Sequence, residues 1–170
     1  MFIAHLPSGY LLTVALAKRL HQVPLPWLMS AGILGALAPD FDMAYFYLVD
    51  QRQTHHHQYP SHWPLCWLAL CAAALIWRYL APHSRGAVLA WLFGLGGILH
   101  LLLDSLVGDI WWLAPFIDQP YALFSVPALY QPWWLNFIVH WSFAVELAIA
   151  GCALLLYRRR SCPSRPASKH

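Results

Sequence analysis

Residues Gly86 to Val107 read GAVLAWLFGLGGILHLLLDSLV, an apolar run with only two ionisable side chains, His100 and Asp104, both toward its C-terminal end. About 20 residues of helix cross the hydrocarbon core of a bilayer, so this run is long enough to span one. Two further runs, Trp63 to Leu80 and Trp133 to Tyr157, read the same way. A fourth, Leu25 to Val49, has the length but contains Pro39, Asp40 and Asp42, which predicts a broken span whose polar groups face protein or water. The first run, Gly9 to Ala17 with residues 2–8 before it, is short and amphipathic at best; spanning, dipping in and packing across the others all stay open. The expectation is an all-α integral membrane helical bundle with four or five transmembrane helices. It forms a single domain over residues 1–157, followed by a basic, disordered cytoplasmic tail over 158–170.

Composition agrees with that class. The chain of 170 residues is 60% hydrophobic and only 10% charged, which excludes an ordinary soluble globular domain. Its net charge of +3 does not imply nucleic-acid binding, because the basic residues sit where membrane topology places them. Cys66, Cys71, Cys152 and Cys162 form no CxxC pair and have no histidine near enough in sequence for a zinc knuckle, so they read as apolar filler. Lys18 and Arg19 follow the first apolar stretch rather than precede it, which argues for a retained N-terminus rather than a signal peptide.

Lys and Arg are retained on the cytoplasmic side of short loops. If each run crosses once, Lys18, Arg19, Arg78, Arg85, Arg158, Arg159, Arg160, Arg165 and Lys169 share that side, and only Arg52 lies opposite. The same threading gathers all the acids (Asp40, Asp42, Asp50, Asp104, Asp109, Asp118 and Glu146) in the outer half or outside. With them go His5, His55, His56, His57, His62, His100 and His140, seven of the ten histidines. Depletion of acids from the basic side would account for the carboxylates but not for the histidines.

Three motifs carry chemistry at that outer level. His100 and Asp104 are spaced i,i+4, so they share a helix face and can bind one metal, or the carboxylate can orient the ring. The plainer alternative is a His–Asp hydrogen bond tying two helices together. In Pro39-Asp40-Phe41-Asp42, proline removes a backbone donor and disturbs the turn before it, so both carboxylates can converge, or one binds metal while the other holds a histidine. Capping of a restarting helix is the bland alternative. In HHHQYPSHWP, residues 55–64, Pro60 and Pro64 disfavour a helix, and a turn brings His57 and His62 together. Three adjacent histidines cannot all bind one ion, so at least one faces solvent. His5, His140 and Glu146 are weaker candidates, the last two lying on different faces of their helix.

The order of an N-terminal His with Gly (His5, Gly9), then PDxD (Asp40, Asp42), then HxxxxH (His57, His62), then HxxxD (His100, Asp104) resembles the membrane-bound metal-dependent hydrolase family, the YdjM-like or LexA-regulated inner-membrane hydrolases of bacteria. The family's middle motif, HRGxTHS, departs here at Gln58 for Arg, Tyr59 for Gly, Ser61 for Thr and Trp63 for the last Ser, while both histidines stand. The resemblance covers roughly residues 5 to 110 and implies an all-helical enzyme distantly like zinc-dependent phospholipase C and related nucleases.

Nitrogen and oxygen ligands without thiolate suit zinc, and accept manganese or iron. The expected ligands are Asp40, His57, His62, His100 and Asp104, with His5 completing the set. Asp42 and His56 are the candidates for catalytic work, as a carboxylate beside the ligands and a spare base. The expected function is hydrolysis of a phosphoester in an amphiphilic or lipid-linked substrate by a metal-activated water, near the periplasmic face of the inner membrane. Membrane lipids are the expected partners. Three alternatives belong to other classes. A metal-ion or proton transporter would spread polar groups along its path, and the inner halves of these spans carry almost none. A haem held by His100 and His140 leaves the aspartates without a role. A scaffold with a purely structural cluster predicts metal content indifferent to Asp104.

Overall fold

The computed structural model describes residues 3–161, and the apolar runs set its elements. Among the described residues it is all-helical, with one isolated bridge between Ile110 and Tyr121 and no strand. The helices are α1 (His5–Ala17), α2 (Leu25–Leu37), α3 (Asp42–Leu48), α4 (Pro64–Leu80), α5 (Arg85–Asp104), α6 (Trp134–Val139) and α7 (Ser142–Ser161).

Local chemistry explains the boundaries that matter. Ser84 starts α5, its hydroxyl accepting from the Ala87 N–H at 3.2 Å, a side-chain cap that satisfies one of the first-turn donors. Pro39 ends α2, and the chain passes through a 3-10 turn at Ala38–Phe41 before α3 begins at Asp42. The break expected in the run Leu25 to Val49 therefore forms where proline and the two aspartates stand. Through the histidine-rich stretch the backbone makes two short 3-10 turns, His56–Gln58 and Pro60–His62, rather than a helix.

Among the described residues only α5 is by itself long and apolar enough to cross a membrane; α4 is apolar but shorter. Two expectations need correcting. The run Trp133 to Tyr157 is not one helix, because His140 adopts an extended backbone between α6 and α7. Finally, α7 continues through Arg158, Arg159 and Arg160 to Ser161, so the expected tail boundary falls inside a helix; residues 162–170, including Cys162, lie outside the described residues.

Helices α1, α2, α4 and α5 form the centre of the bundle. Close approach of α2 to α5 depends on two glycines. A Cβ on Gly35 would stand 2.1 Å from the Phe93 carbonyl oxygen, and one on Gly96 would meet the backbone at Ala36 and Gly32 at 2.7 and 2.8 Å. Small residues at such crossings let backbones touch. Leu28 packs with Val88 and Leu92, and Ala36 lies beside His100, so α2 and α5 run in the same direction. Trp67 lies against Gly97 and Trp77 against Gly86, so α4 runs opposite. Gly9 meets Ala36 while Thr13 meets Gly32, so α1 is also antiparallel to α2. These directions put Lys18, Arg19, Arg78 and Arg85 at one end of the bundle and the PDFD turn, the histidine-rich turns and His100 with Asp104 at the other. The two-ended charge partition read from the sequence is thus a property of the fold.

Candidate metal centre

Five elements deliver side chains to that second end. Helix α5 supplies His100 and Asp104 one turn apart, the 3-10 turn after α2 supplies Asp40, the histidine-rich turns supply His57 and His62, and α1 supplies His5. His62 and His100 are fully buried, and Asp104 is 2% exposed. One Asp104 oxygen, Oδ1, lies 3.2 Å from His5 Nε2; the other, Oδ2, lies 3.0 Å from His100 Nε2 and 3.7 Å from His57 Nε2. Asp40 Oδ1 stands 3.5 Å from His100 Nε2 and 3.8 Å from His62 Nε2. Asp40, His62, His100 and Asp104 each offer a donor atom within 4.8 Å of the others, and His56, His57 and His62 form a second such group. His62 is common to both.

The far nitrogens of the rings decide what the near ones can do. His100 Nδ1 is 2.8 Å from the Ala36 carbonyl oxygen, and His57 Nδ1 is 2.9 Å from that of Asp109. A carbonyl only accepts, so in both rings Nδ1 carries the proton. In a neutral ring Nε2 then presents a lone pair, and in both cases it faces a carboxylate. His62 repeats the pattern, with Nδ1 2.8 Å from Asp42 Oδ2 and Nε2 toward Asp40. His62 Nε2 and His100 Nε2 are both buried, with carboxylate oxygens beside them. Lone pairs facing carboxylates in a buried site need a cation between them, either a proton or a metal. Histidine ligands to metals characteristically donate their second N–H to a carbonyl or carboxylate, so the residues present fit a divalent ion.

Outside the helices, electrostatics separates the loop histidines. Burial pushes His57 down to about 2, with the Asp104 carboxylate opposing and neighbouring rings reinforcing it. Burial also lowers His56, to about 4, helped by the charge of His62. Both are neutral near pH 7, the form that ligates metal. At His62 burial opposes charge as well, but the carboxylates of Asp40 and Asp42 outweigh it and raise the pKa.

Among the sequence candidates, His5 is brought in from the first turn of α1, its ring stacked on His100 at 3.8 Å and 16°. Asp42 lies beside the cluster on His62, and its Oδ2 also accepts from the Ser61 hydroxyl at 2.6 Å; no side-chain cap forms at the start of α3. His56 lies beside the cluster, its ring 4.0 Å from that of His57. His55 is the exposed member of the three. His140 and Glu146 fall outside both groups: His140 Nδ1 lies 2.9 Å from Ser142 Oγ, and Glu146 Oε2 accepts from the Ile3 N–H at 2.6 Å. Sequence reading missed Ser61 and the carbonyls of Ala36 and Asp109. Ser61 beside His62 offered a weak signal; a carbonyl offers none, since every residue has one.

A cavity of about 920 Å³ opens onto this cluster, with Asp40, Asp104, His56 and His57 in its wall. Asp40, whose side chain is 37% exposed, is the most open member of its four-residue group. Fold and site together define an all-helical protein with an apolar helix of spanning length and a buried His/Asp cluster of metal-ligand type at one end. The chain belongs to the YdjM inner membrane protein family, whose model matches residues 1–161. No curated protein and no solved structure matches it.

Proposed function

We propose that this chain is a membrane-bound metal-dependent hydrolase of phosphoester bonds in amphiphilic or lipid-linked substrates. The observation that carries the reading is the arrangement of the three rings: Nδ1 of His57, His62 and His100 is held by an acceptor while Nε2 of each faces the carboxylates of Asp40 or Asp104. Zinc suits this donor set best, with manganese or iron as substitutes. Asp40, His57, His62, His100 and Asp104 would hold the ion, and His5 buttresses Asp104. A bound divalent ion supplies a water of lowered pKa and polarises a phosphoryl oxygen. Asp42 fixes the direction of His62. His56, neutral near pH 7 and part of the cavity lining, would take the proton of the attacking water.

In this reading the α2–α3 pair, α4, α5 and the α6–α7 pair cross the inner membrane, with α1 as a fifth crossing. The basic end is cytoplasmic and the cluster lies near the periplasmic face, where an amphiphile is met head first. Helical His/Asp ligation is also what the likeness to zinc-dependent phospholipase C and related nucleases implies.

The test is metal content by mass spectrometry on detergent-purified protein without a His-tag. One or two equivalents of zinc, manganese or iron are expected, lost in both His100→Ala and His62→Ala, together with metal-dependent hydrolysis of a chromogenic phosphodiester. Metal that ignores both changes would remove the centre from the cluster. Asp42→Asn makes a finer prediction. It keeps the shape of the side chain but loses the charge on His62, so metal affinity, read by competition with a chelator, falls about 10- to 100-fold. Unaltered affinity would leave Asp42 with its Ser61 contact alone.

A further inference from the structure

The cavity lining mixes two chemistries: Asp40, Asp104, His56 and His57 from the cluster, and Phe124, Val126, Trp133 and Phe137 from the segment after α5 and from α6 with its approach. Among the described residues Arg52 is the only lysine or arginine in the lining. It is held there by an unusual backbone: Gln51 and Arg52 have φ of 51° and 65°, a left-handed conformation uncommon for residues other than glycine. Hydrogen bonds fix this turn at the end of α3, with Arg52 N–H donating to the Phe46 carbonyl at 3.0 Å and Thr54 N–H to Asp50 Oδ2 at 2.7 Å. The guanidinium lies 4.7 Å over the centre of the Tyr47 ring. Stacking on a ring face leaves the N–H donors at the guanidinium edge for an anion. Asp40, Asp104 and Asp109 also line this cavity, yet none of them forms an ion pair with Arg52.

We propose that Arg52, stacked on Tyr47, binds the anionic phosphate head of an amphiphile whose apolar part lies along Phe124, Val126, Trp133 and Phe137. An arginine fork is matched to phosphate oxygens, which it takes two at a time. Pockets of roughly 300–1,000 Å³ hold a small-molecule ligand rather than a whole lipid, so the cavity takes the head and the first part of the chain. The choice of a phosphoester rests on the metal-hydrolase reading; the role of Arg52 as the anion's partner is tested separately.

The experiment is calorimetric titration of the full chain in dodecyl maltoside with dioctanoyl phosphatidic acid, dioctanoylglycerol and inorganic phosphate, with metal content measured on the same samples. Phosphatidic acid is expected to bind at least about tenfold more tightly than either of the others. Arg52→Gly, chosen because glycine accepts φ near 65°, is expected to weaken it about 10- to 100-fold, the range for losing a hydrogen bond to a charged group. Arg52→Lys, which keeps the charge without the fork, should fall between the two and serves if the glycine variant does not fold. Phosphatidic acid binding that is absent, or unchanged in Arg52→Gly, overturns the proposal, as does equal binding of dioctanoylglycerol. Inorganic phosphate binding as tightly as phosphatidic acid overturns the amphiphile and leaves a free-phosphate site. Arg52-dependent binding in protein devoid of metal would sink the hydrolase reading and keep this one; metal present with Arg52 indifferent would do the reverse.

Discussion

Asp104→Asn is expected to abolish metal retention and to lower the stability of the protein by an amount typical of breaking a buried charge arrangement, about 3–5 kcal/mol. The asparagine is nearly the same shape, so packing is preserved and the effect isolates the charge. That charge sits among three imidazoles, with His5 and His100 Nε2 at 3.2 and 3.0 Å and His57 Nε2 at 3.7 Å, and its carboxylate is almost completely withdrawn from water. Without it, one member of the four-residue group offers only a neutral amide, and the buried rings lose the anion they face. Two measurements on detergent-purified full chain check this, metal by mass spectrometry and thermal melting with and without added zinc. Wild-type metal content together with a lowered midpoint in the variant would favour a structural cluster, with the residues tied by hydrogen bonds and no ion at Asp104.

The second large effect lies away from the chemistry. Gly35→Val is expected to destabilise the bundle by roughly 3 kcal/mol or more, at or above the upper end for overpacking a core, and to reduce metal retention with it. A Cβ at Gly35 would stand 2.1 Å from the Phe93 carbonyl oxygen and 2.8 Å from the Phe93 carbonyl and α carbons, all backbone atoms of α5. No rotamer change relieves that clash, so α2 must move from α5. Asp40 follows α2 directly, and Ala36 on α2 accepts from His100, so a shift between the helices separates both halves of the cluster. Gly151→Ala is the control. Nothing lies within 4 Å of a Cβ there, and an alanine inside α7 should be neutral or stabilising by up to about 1 kcal/mol. Equal expression, melting and metal content in the two variants would show that the approach of α2 to α5 does not hold the cluster.

Much of the helical class was legible because hydrophobic length and backbone satisfaction are local: Gly86 to Val107 and Trp63 to Leu80 became α5 and α4 with modest shifts at their ends. The break at Pro39 was legible for the same reason, since a missing N–H and a ring clash act within one turn. The break at His140 was not. It lies in an apolar stretch with no proline or glycine beside it, and its signal, a histidine between Val139 and Trp141, is indistinguishable from helix by composition. The site was legible where spacing fixes geometry, as for His100 and Asp104, and only suggested where several elements must meet, as for His5 and His62.

By itself the sequence determined the helical class, the family, the segregation of basic residues from acids and histidines, and the residue types at the candidate centre. These follow from apolar length, from motif order and from i,i+4 spacing, none of which needs distant contacts. Tertiary structure alone decided which nitrogen of each histidine faces the carboxylates, because the Ala36 and Asp109 carbonyls that hold the opposite nitrogens belong to other parts of the chain. It also decided that Asp42 serves His62 and that Arg52 enters the cavity wall. The physical reason is that direction and partnership arise only when helices pack, and the packing of α2 on α5 is set by backbone-to-backbone distances at Gly35 and Gly96.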